Sequence, residues 1–349
     1  MTRTRLEAVL AGTLALVTFP LAAQHHPHTF FKNVVGLADK EIAQIDSGQV
    51  VTKVVPSTNQ YGLLVFGATY VNAPVEKFAG VFRDVKKLEE EKVYLVVEQF
   101  GLVQGRPVTA ADFGRLEVDK GDIDDLASCE VGDCAIQFAH EANMEKLRSI
   151  AKDKAVNKYA LFNQTFRELA AEATNRYLKG GLKELGSYHD RKKPFDMYQE
   201  TKAMVDSSFY LPRDKAPEIH GHIVEYPQKR MDGAEDIFYY EKIDFGQGPM
   251  IRVNHVSLFP KGVGAVKLAA ANKQIYSSRY IRVALQMFYC VPDSANANRR
   301  GFYLIEMSDS RLPDFGALKM SVVRRIATGT AVDGARDTLA IFKRRSEGP

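Results

Sequence analysis

Leu63-Leu64-Val65-Phe66-Gly67-Ala68-Thr69-Tyr70-Val71 runs directly into Asn72-Ala73-Pro74. The first nine residues are β-branched and aromatic enough for a strand. Pro74 suits a helical first turn, Asn72 can cap it, and Val75, Phe78, Val81, Phe82, Val85 and Leu88 then recur at helical spacing. The spacing predicts a strand, a tight turn and an amphipathic helix.

Further strands are expected downstream. Tyr94 to Phe100 reads as one, and Ile237–Phe245, Met250–Phe259, Val263–Cys290 (broken near Ser277-Ser278) and Phe302–Met307 as the rest. Gly246-Gln247-Gly248-Pro249, Pro260-Lys261-Gly262 and the segment Asn296–Gly301 supply the turn chemistry of antiparallel hairpins. A long helix, Asp314 to about Arg345, closes the chain, its apolar face including Val322, Ile326, Val332, Leu339 and Phe342. Strands followed by a helix laid across them predict an α+β layer architecture. Between them, about 141–227, the period is helical: Tyr159, Phe162, Phe166, Leu169, Ala173 and Tyr177 mark one buried face, interrupted at Gly180-Gly181.

The N-terminus reads as an export signal. Arg3 and Arg5 precede an apolar run, Ala8–Leu21, and Ala22-Ala23-Gln24 offers small residues for cleavage near Ala23. That run is too short to span a bilayer. The expected organisation is a signal peptide at 1–23, an N-terminal extension at 24–60 and a main domain at 61–346 carrying the helical insertion. A periplasmic or secreted location follows. In such a compartment Cys129 and Cys134, separated by Glu130-Val131-Gly132-Asp133, are expected to form a disulfide that pins a turn. Zinc would need two further ligands, and none is nearby in sequence. Cys290 reads as a buried free thiol.

Composition excludes little. The 349 residues are 45% hydrophobic and 26% charged, and net charge is +4, too small an excess to argue for nucleic acid. Arg324-Arg325 and Lys343-Arg344-Arg345 suit either transient contact with an anionic membrane or a solvated helix end. There is no G-x-S-x-G elbow, P-loop, dinucleotide fingerprint or H-E-x-x-H. The chain therefore offers no cofactor motif. His220-x-His222 lies in a helical context, where residues two apart diverge, so no metal site is expected there; the tract His25, His26 and His28 reads as a tail.

This element order resembles the START-like (SRPBCC, helix-grip) superfamily, whose usual opening Val65–Val71 and Ala73-Pro74-Val75-Glu76-Lys77-Phe78 resemble. Cys129–Cys134, Phe238-Tyr239-Tyr240, Asn254-His255-Val256, Lys273–Ser278 and Met307–Arg311 are similar to an uncharacterised exported bacterial branch. The resemblance implies an antiparallel sheet wrapped around the C-terminal helix, enclosing a cavity for a lipid or other hydrophobic small molecule. His255, Tyr276, Arg279, Met287, Tyr303, Gly329 and Gly334 are the candidate lining. By strand alternation His255 shares a face with Val253 and Ser257. Arg279 and Arg311 are candidates for headgroup recognition or for buried Arg–Asp pairing. Two other functions remain open. A cavity-based hydrolase or cyclase requires His255, Tyr276 and Arg279 to converge. An envelope interaction protein requires an exposed apolar patch over Tyr159–Tyr177 above a solid core.

Overall fold

The computed structural model describes residues 27–348, except 101–105, 131–133, 191–192, 212, 245, 247, 261–263, 294–299 and 315. The signal peptide, His25, His26 and the Gly132-Asp133 turn lie outside the described residues. The strands are β1 (Val51–Val55), β2 (Gly62–Val71), β3 (Tyr94–Gln99), β4 (Ser187–Asp190), β5 (Lys193–Asp196), β6 (Glu235–Ile243), β7 (Met250–Phe259), β8 (Leu268–Ser277), β9 (Val283–Pro292) and β10 (Phe302–Arg311). The α-helices are α1 (Pro27–Phe30), α2 (Asp39–Asp46), α3 (Val75–Arg83), α4 (Lys120–Leu126), α5 (Glu141–Lys152), α6 (Lys158–Gly180), α7 (Met197–Asp206), α8 (Pro217–Glu225) and α9 (Ala317–Glu347). No helix among the described residues is long and apolar enough to cross a membrane.

Eight strands pair antiparallel in the order β1-β2-β10-β9-β8-β7-β6-β3. Every residue of β2 is buried, which explains its nearly unbroken apolar run: both faces of the sheet are covered. The chain is thus α+β, an antiparallel sheet with a long C-terminal helix. β1 lies inside the stretch read as an extension, so the sheet begins at Val51. β4 and β5 add a small hairpin to the otherwise helical insertion.

The two faces have different covers. One carries Phe66, Tyr240, Met287 and Tyr303 and packs against the N-terminal segment and the insertion, in the largest core cluster. The other carries Val71, Val256, Phe288, Phe302 and Leu304 and packs against Phe78 and Phe82 of α3 and Leu339 and Phe342 of α9. α9 packs chiefly on β2, β1 and α3, and touches β10.

Three local expectations are corrected. Pro74, not Asn72, occupies the N-cap position of α3; the Asn72 N–H instead donates to Glu347 Oε1 at 2.7 Å, tying the turn to the end of α9. A Cβ added at Gly329 or Gly334 would meet nothing within 4 Å, so neither glycine permits a close approach of the helix to the sheet. That role belongs to Gly67, where a Cβ would lie 2.5 Å from Leu339 Cδ1. The N-terminal half of α9 does not bury its apolar face: Val322 is 60% and Ile326 49% exposed.

Cys129 and Cys134 are joined, with an S–S distance of 2.01 Å, and Cys290 is a buried free thiol.

Candidate functional site

Two groups of buried polar side chains lie on opposite faces of the sheet. The first is built on alternation. Asp236 faces the insertion from β6, His255 and Ser257 from β7, and Lys273 from β8; the registers Asp236–Ser257 and His255–Lys273 make them neighbours. α8 adds His222 and α6 adds Tyr177. Asp236 Oδ1 lies 2.9 Å from His222 Nε2 and 2.8 Å from His255 Nε2, and accepts from Ser257 Oγ at 3.1 Å. Arg230 donates to Oδ2 at 2.6 Å. On the far side of each ring, His255 Nδ1 is 2.7 Å from the Tyr177 hydroxyl, and the Met231 N–H donates to His222 Nδ1 at 3.1 Å. Lys273 Nζ donates to the Ile223 carbonyl and lies over the Tyr177 ring.

Burial works to raise the Asp236 pKa, but the hydrogen bonds from His222 and His255 hold it well below the usual carboxylate range. His255 moves the other way. Burial lowers it to about 3, and Lys273 and His222 add to this against the pull of Asp236. Burial also lowers Lys273 to about 7, with Asp236 opposing.

His222, Asp236 and His255 place three ligand atoms within 4.8 Å of one another, so a metal must be considered. The hydrogen bonds decide against it. The Met231 amide can only donate, so His222 Nδ1 must accept and the ring proton sits on Nε2, pointed at Asp236. A ligating Nε2 would need the opposite tautomer and leave two donors facing each other. The group is a satisfied hydrogen-bond hub centred on one carboxylate. Accordingly, neither zinc nor EDTA is expected to shift the melting temperature, followed by circular dichroism; a rise of several degrees with zinc would refute this reading.

On helix α8 the two histidines do diverge, as the helical spacing predicts: His220 Nε2 lies 2.8 Å from Asp206 Oδ1, while His222 turns to the hub.

The second group lies on the face beneath α3 and α9. Gln286 Nε2 donates to Glu306 Oε1 at 3.1 Å, and Asn272 Nδ2 donates to Gln286 Oε1 at 3.1 Å, making a line across β10, β9 and β8. Glu306 is fully buried beside Gly67, under Leu339. Gln286 and Asn272 are half-buried. Glu306 Oε2 and Asn272 Oδ1, at the two ends of the line, have no hydrogen-bond partner among the described residues. Burial pushes the Glu306 carboxyl up to about 8, partly offset by Gln286.

The candidate residues read from sequence do not form one cavity. His255, Tyr276, Met287 and Tyr303 all lie on the insertion-facing side, away from α9. Tyr276 donates to the Gln137 carbonyl at 2.8 Å, Tyr303 to Asp46 Oδ1 at 2.8 Å, and Met287 is packed in the core. Arg279 pairs with Asp122 just beyond the end of β8. Gly329 is exposed and Gly334 half-buried. Arg311 does pair with Asp309, at 3.0 Å, but on the insertion side, where Tyr210 donates to the same carboxylate. Sequence reading passed over Asp236, Lys273 and Glu306. Lys273 and Glu306 had a signal: Lys273 is the one charge in β8, and Glu306 the one charge in the apolar run Phe302–Met307 that opens β10.

No protein-family model matches this chain, and no curated protein matches it at a significant level.

Proposed function

We propose that this chain is an exported protein of START-like architecture that binds a lipid or other hydrophobic small molecule on the sheet face beneath α3 and α9. One observation carries the reading: a fully buried carboxyl, Glu306, has an unpartnered oxygen next to half-buried Gln286 and Asn272 and in an apolar setting of Phe288, Leu304 and Leu339. Leaving such a group unsatisfied costs about 1–3 kcal/mol, a cost that a bound molecule would offset. The position agrees with the helix-grip expectation, because Glu306 sits where the last helix crosses the sheet. The export signal and the Cys129–Cys134 disulfide suit a carrier in an oxidising compartment outside the cytoplasm.

The rival readings have less support. His255, Tyr276 and Arg279 bond to separate partners, which removes the candidate catalytic group. Phe162, Phe166, Leu169, Ala173 and Tyr177 are buried, so α6 offers no apolar docking stripe.

Organic extracts of gently purified mature protein, analysed by mass spectrometry, are expected to contain one apolar molecule at near-stoichiometric amount. Absence of any such molecule, together with no uptake of fluorescent lipids, would overturn the proposal.

A further inference from the structure

Most cations of the two basic runs in the closing helix are engaged. Arg344 pairs with Glu91, Arg345 with Glu90 and Lys343 with Glu347, while Arg324 donates to the Gln60 and Gly62 carbonyls. A different group of cations stands clear, at the turn between α5 and α6. Lys152 and Lys154 are exposed and have no ion pair among the described residues. Lys158 and Lys120 lie over the Tyr159 ring, 4.8 and 5.3 Å from its centroid. The acids beside them are occupied. Asp124 pairs with Lys158, and Asp153 Oδ1 accepts from the Ala155 N–H at 2.9 Å. Next to them, Asp119 pairs with Lys242, Asp122 with Arg279, and Asp125 accepts from the Ala135 N–H.

Among these lysines the chain carries apolar side chains that the fold does not use. Val156, at the tip of the turn, is fully exposed, and Leu161, in the first turn of α6, nearly half so. Ala155 and Ala160 are exposed as well. The turn is closed by Asp153 and by the Lys158 N–H, which donates to the Ala155 carbonyl at 3.2 Å, so Val156 does not hold it together. The buried face of α6 begins only at Phe162. Aliphatic side chains at a tip, a tyrosine at its base and lysines around it match the successive levels of an anionic bilayer surface. A folded acidic partner fits less well: four apolar residues compare with about 20–30 residues on each side of a standard protein interface. α9 also exposes Val322 and Ile326, but the cations described beside them are Arg324, tied to its two carbonyls, and Arg325.

We propose that the α5–α6 turn docks this protein on an anionic membrane surface, with Val156 and Leu161 entering the headgroup boundary and Lys152 and Lys154 facing the lipid phosphates. Lys120 and Lys158, behind Tyr159, add to the attraction. The contact is independent of what the sheet binds, and it sets the helical insertion, not the closing helix, against the bilayer.

The chain has no tryptophan, so Val156→Trp places a sole reporter at the tip. Its emission is expected to shift to the blue with vesicles of equal parts phosphatidylglycerol and phosphatidylcholine, and to return as salt is raised. In cosedimentation at low salt the mature protein should bind those vesicles about tenfold more tightly than vesicles of phosphatidylcholine alone. Lys152→Glu combined with Lys154→Glu should erase that preference, and Val156→Asp should weaken binding about tenfold. These side chains are exposed, so unchanged melting by circular dichroism is expected for both variants. Ile326→Asp, on the exposed part of α9, should bind as wild type does. Absence of vesicle binding, equal binding to the two compositions, wild-type binding by Val156→Asp, or loss of binding in Ile326→Asp instead would overturn the proposal. A blue shift with soluble polyglutamate and none with vesicles would assign the turn to an acidic protein and overturn the membrane contact.

Discussion

Replacing Asp236 by alanine is expected to destabilise the protein by about 3–5 kcal/mol, the range for removing one partner from a buried charged network. The loss is large because Asp236 is the acceptor shared by His222, His255 and Ser257, which come from α8 and β7. Without it only Ser257 Oγ, 3.0 Å from His222 Nε2 and 3.1 Å from His255 Nε2, is left to accept from the two buried rings, and its own proton loses its acceptor. Arg230 contributes little, since its side chain is 55% exposed. Asp236→Asn should cost less, about 1–2 kcal/mol, because its oxygen can still accept in the hub, while the donor-to-donor contact of its amide with Arg230 is relieved by that 55% exposed side chain turning to solvent. Urea unfolding at pH 7 measures both, and equal stability of Asp236→Ala and wild type would sink the hub reading. The same hub shapes the acid limb. His255 titrates near 6.5 when unfolded and near 3 when folded, so between those values the unfolded chain takes a proton that the folded one refuses. Stability falls as pH drops through that window, by on the order of 3 kcal/mol at pH 4. Asp236, held below its ordinary 3.8, adds a further loss at still lower pH.

Glu306→Gln is expected to act in the opposite direction, stabilising the ligand-free protein at alkaline pH. Burial raises Glu306 from 4.5 to about 8, so between those values the folded state keeps a proton that the unfolded state has released. That difference costs stability as pH rises and is complete above pH 8, on the order of 3–5 kcal/mol. Glutamine has nearly the same shape, can still accept from Gln286 and never ionises. The variant should therefore match wild type near pH 4.5 and exceed it progressively up to pH 8.5, in urea titrations followed by circular dichroism. Lys273, lowered to about 7, gives both proteins a rise in stability from pH 7 toward 10.5, which cancels in the comparison. A difference between the two proteins that does not change with pH would show that Glu306 is not buried as a neutral acid. A residue that costs stability in the empty protein is also what a binding site is expected to contain.

Much of the architecture was legible because periodicity reports burial. The run Met250–Phe259 is a strand at its expected bounds, and the breaks at Ser277-Ser278 and Gly180-Gly181 fall where β8 and α6 end. Glycine, proline and apolar spacing act within a few residues, so they can be read without the rest of the chain. The candidate site was less legible. Alternation correctly placed His255 and Ser257 on one face with Val253, but nothing local says which layer that face meets. It meets the insertion, not α9. Likewise Gly329 and Gly334 are small residues in the last helix, yet the close approach occurs at Gly67 on β2, more than 200 residues earlier.

What the sequence determined by itself was therefore the set of elements: an antiparallel sheet, a closing helix, an inserted helical layer, and the divergence of His220 from His222. Only the tertiary structure decided which side of the sheet each layer covers, and with it which polar side chains are satisfied. Asp236 and Glu306 are both buried carboxyls on strands. One gathers donors from α8, β7 and the Arg230 loop and stays ionised; the other has a single amide among the described residues and is held protonated at neutral pH. The difference is a matter of what packs above each strand, and that depends on contacts between residues far apart in the chain.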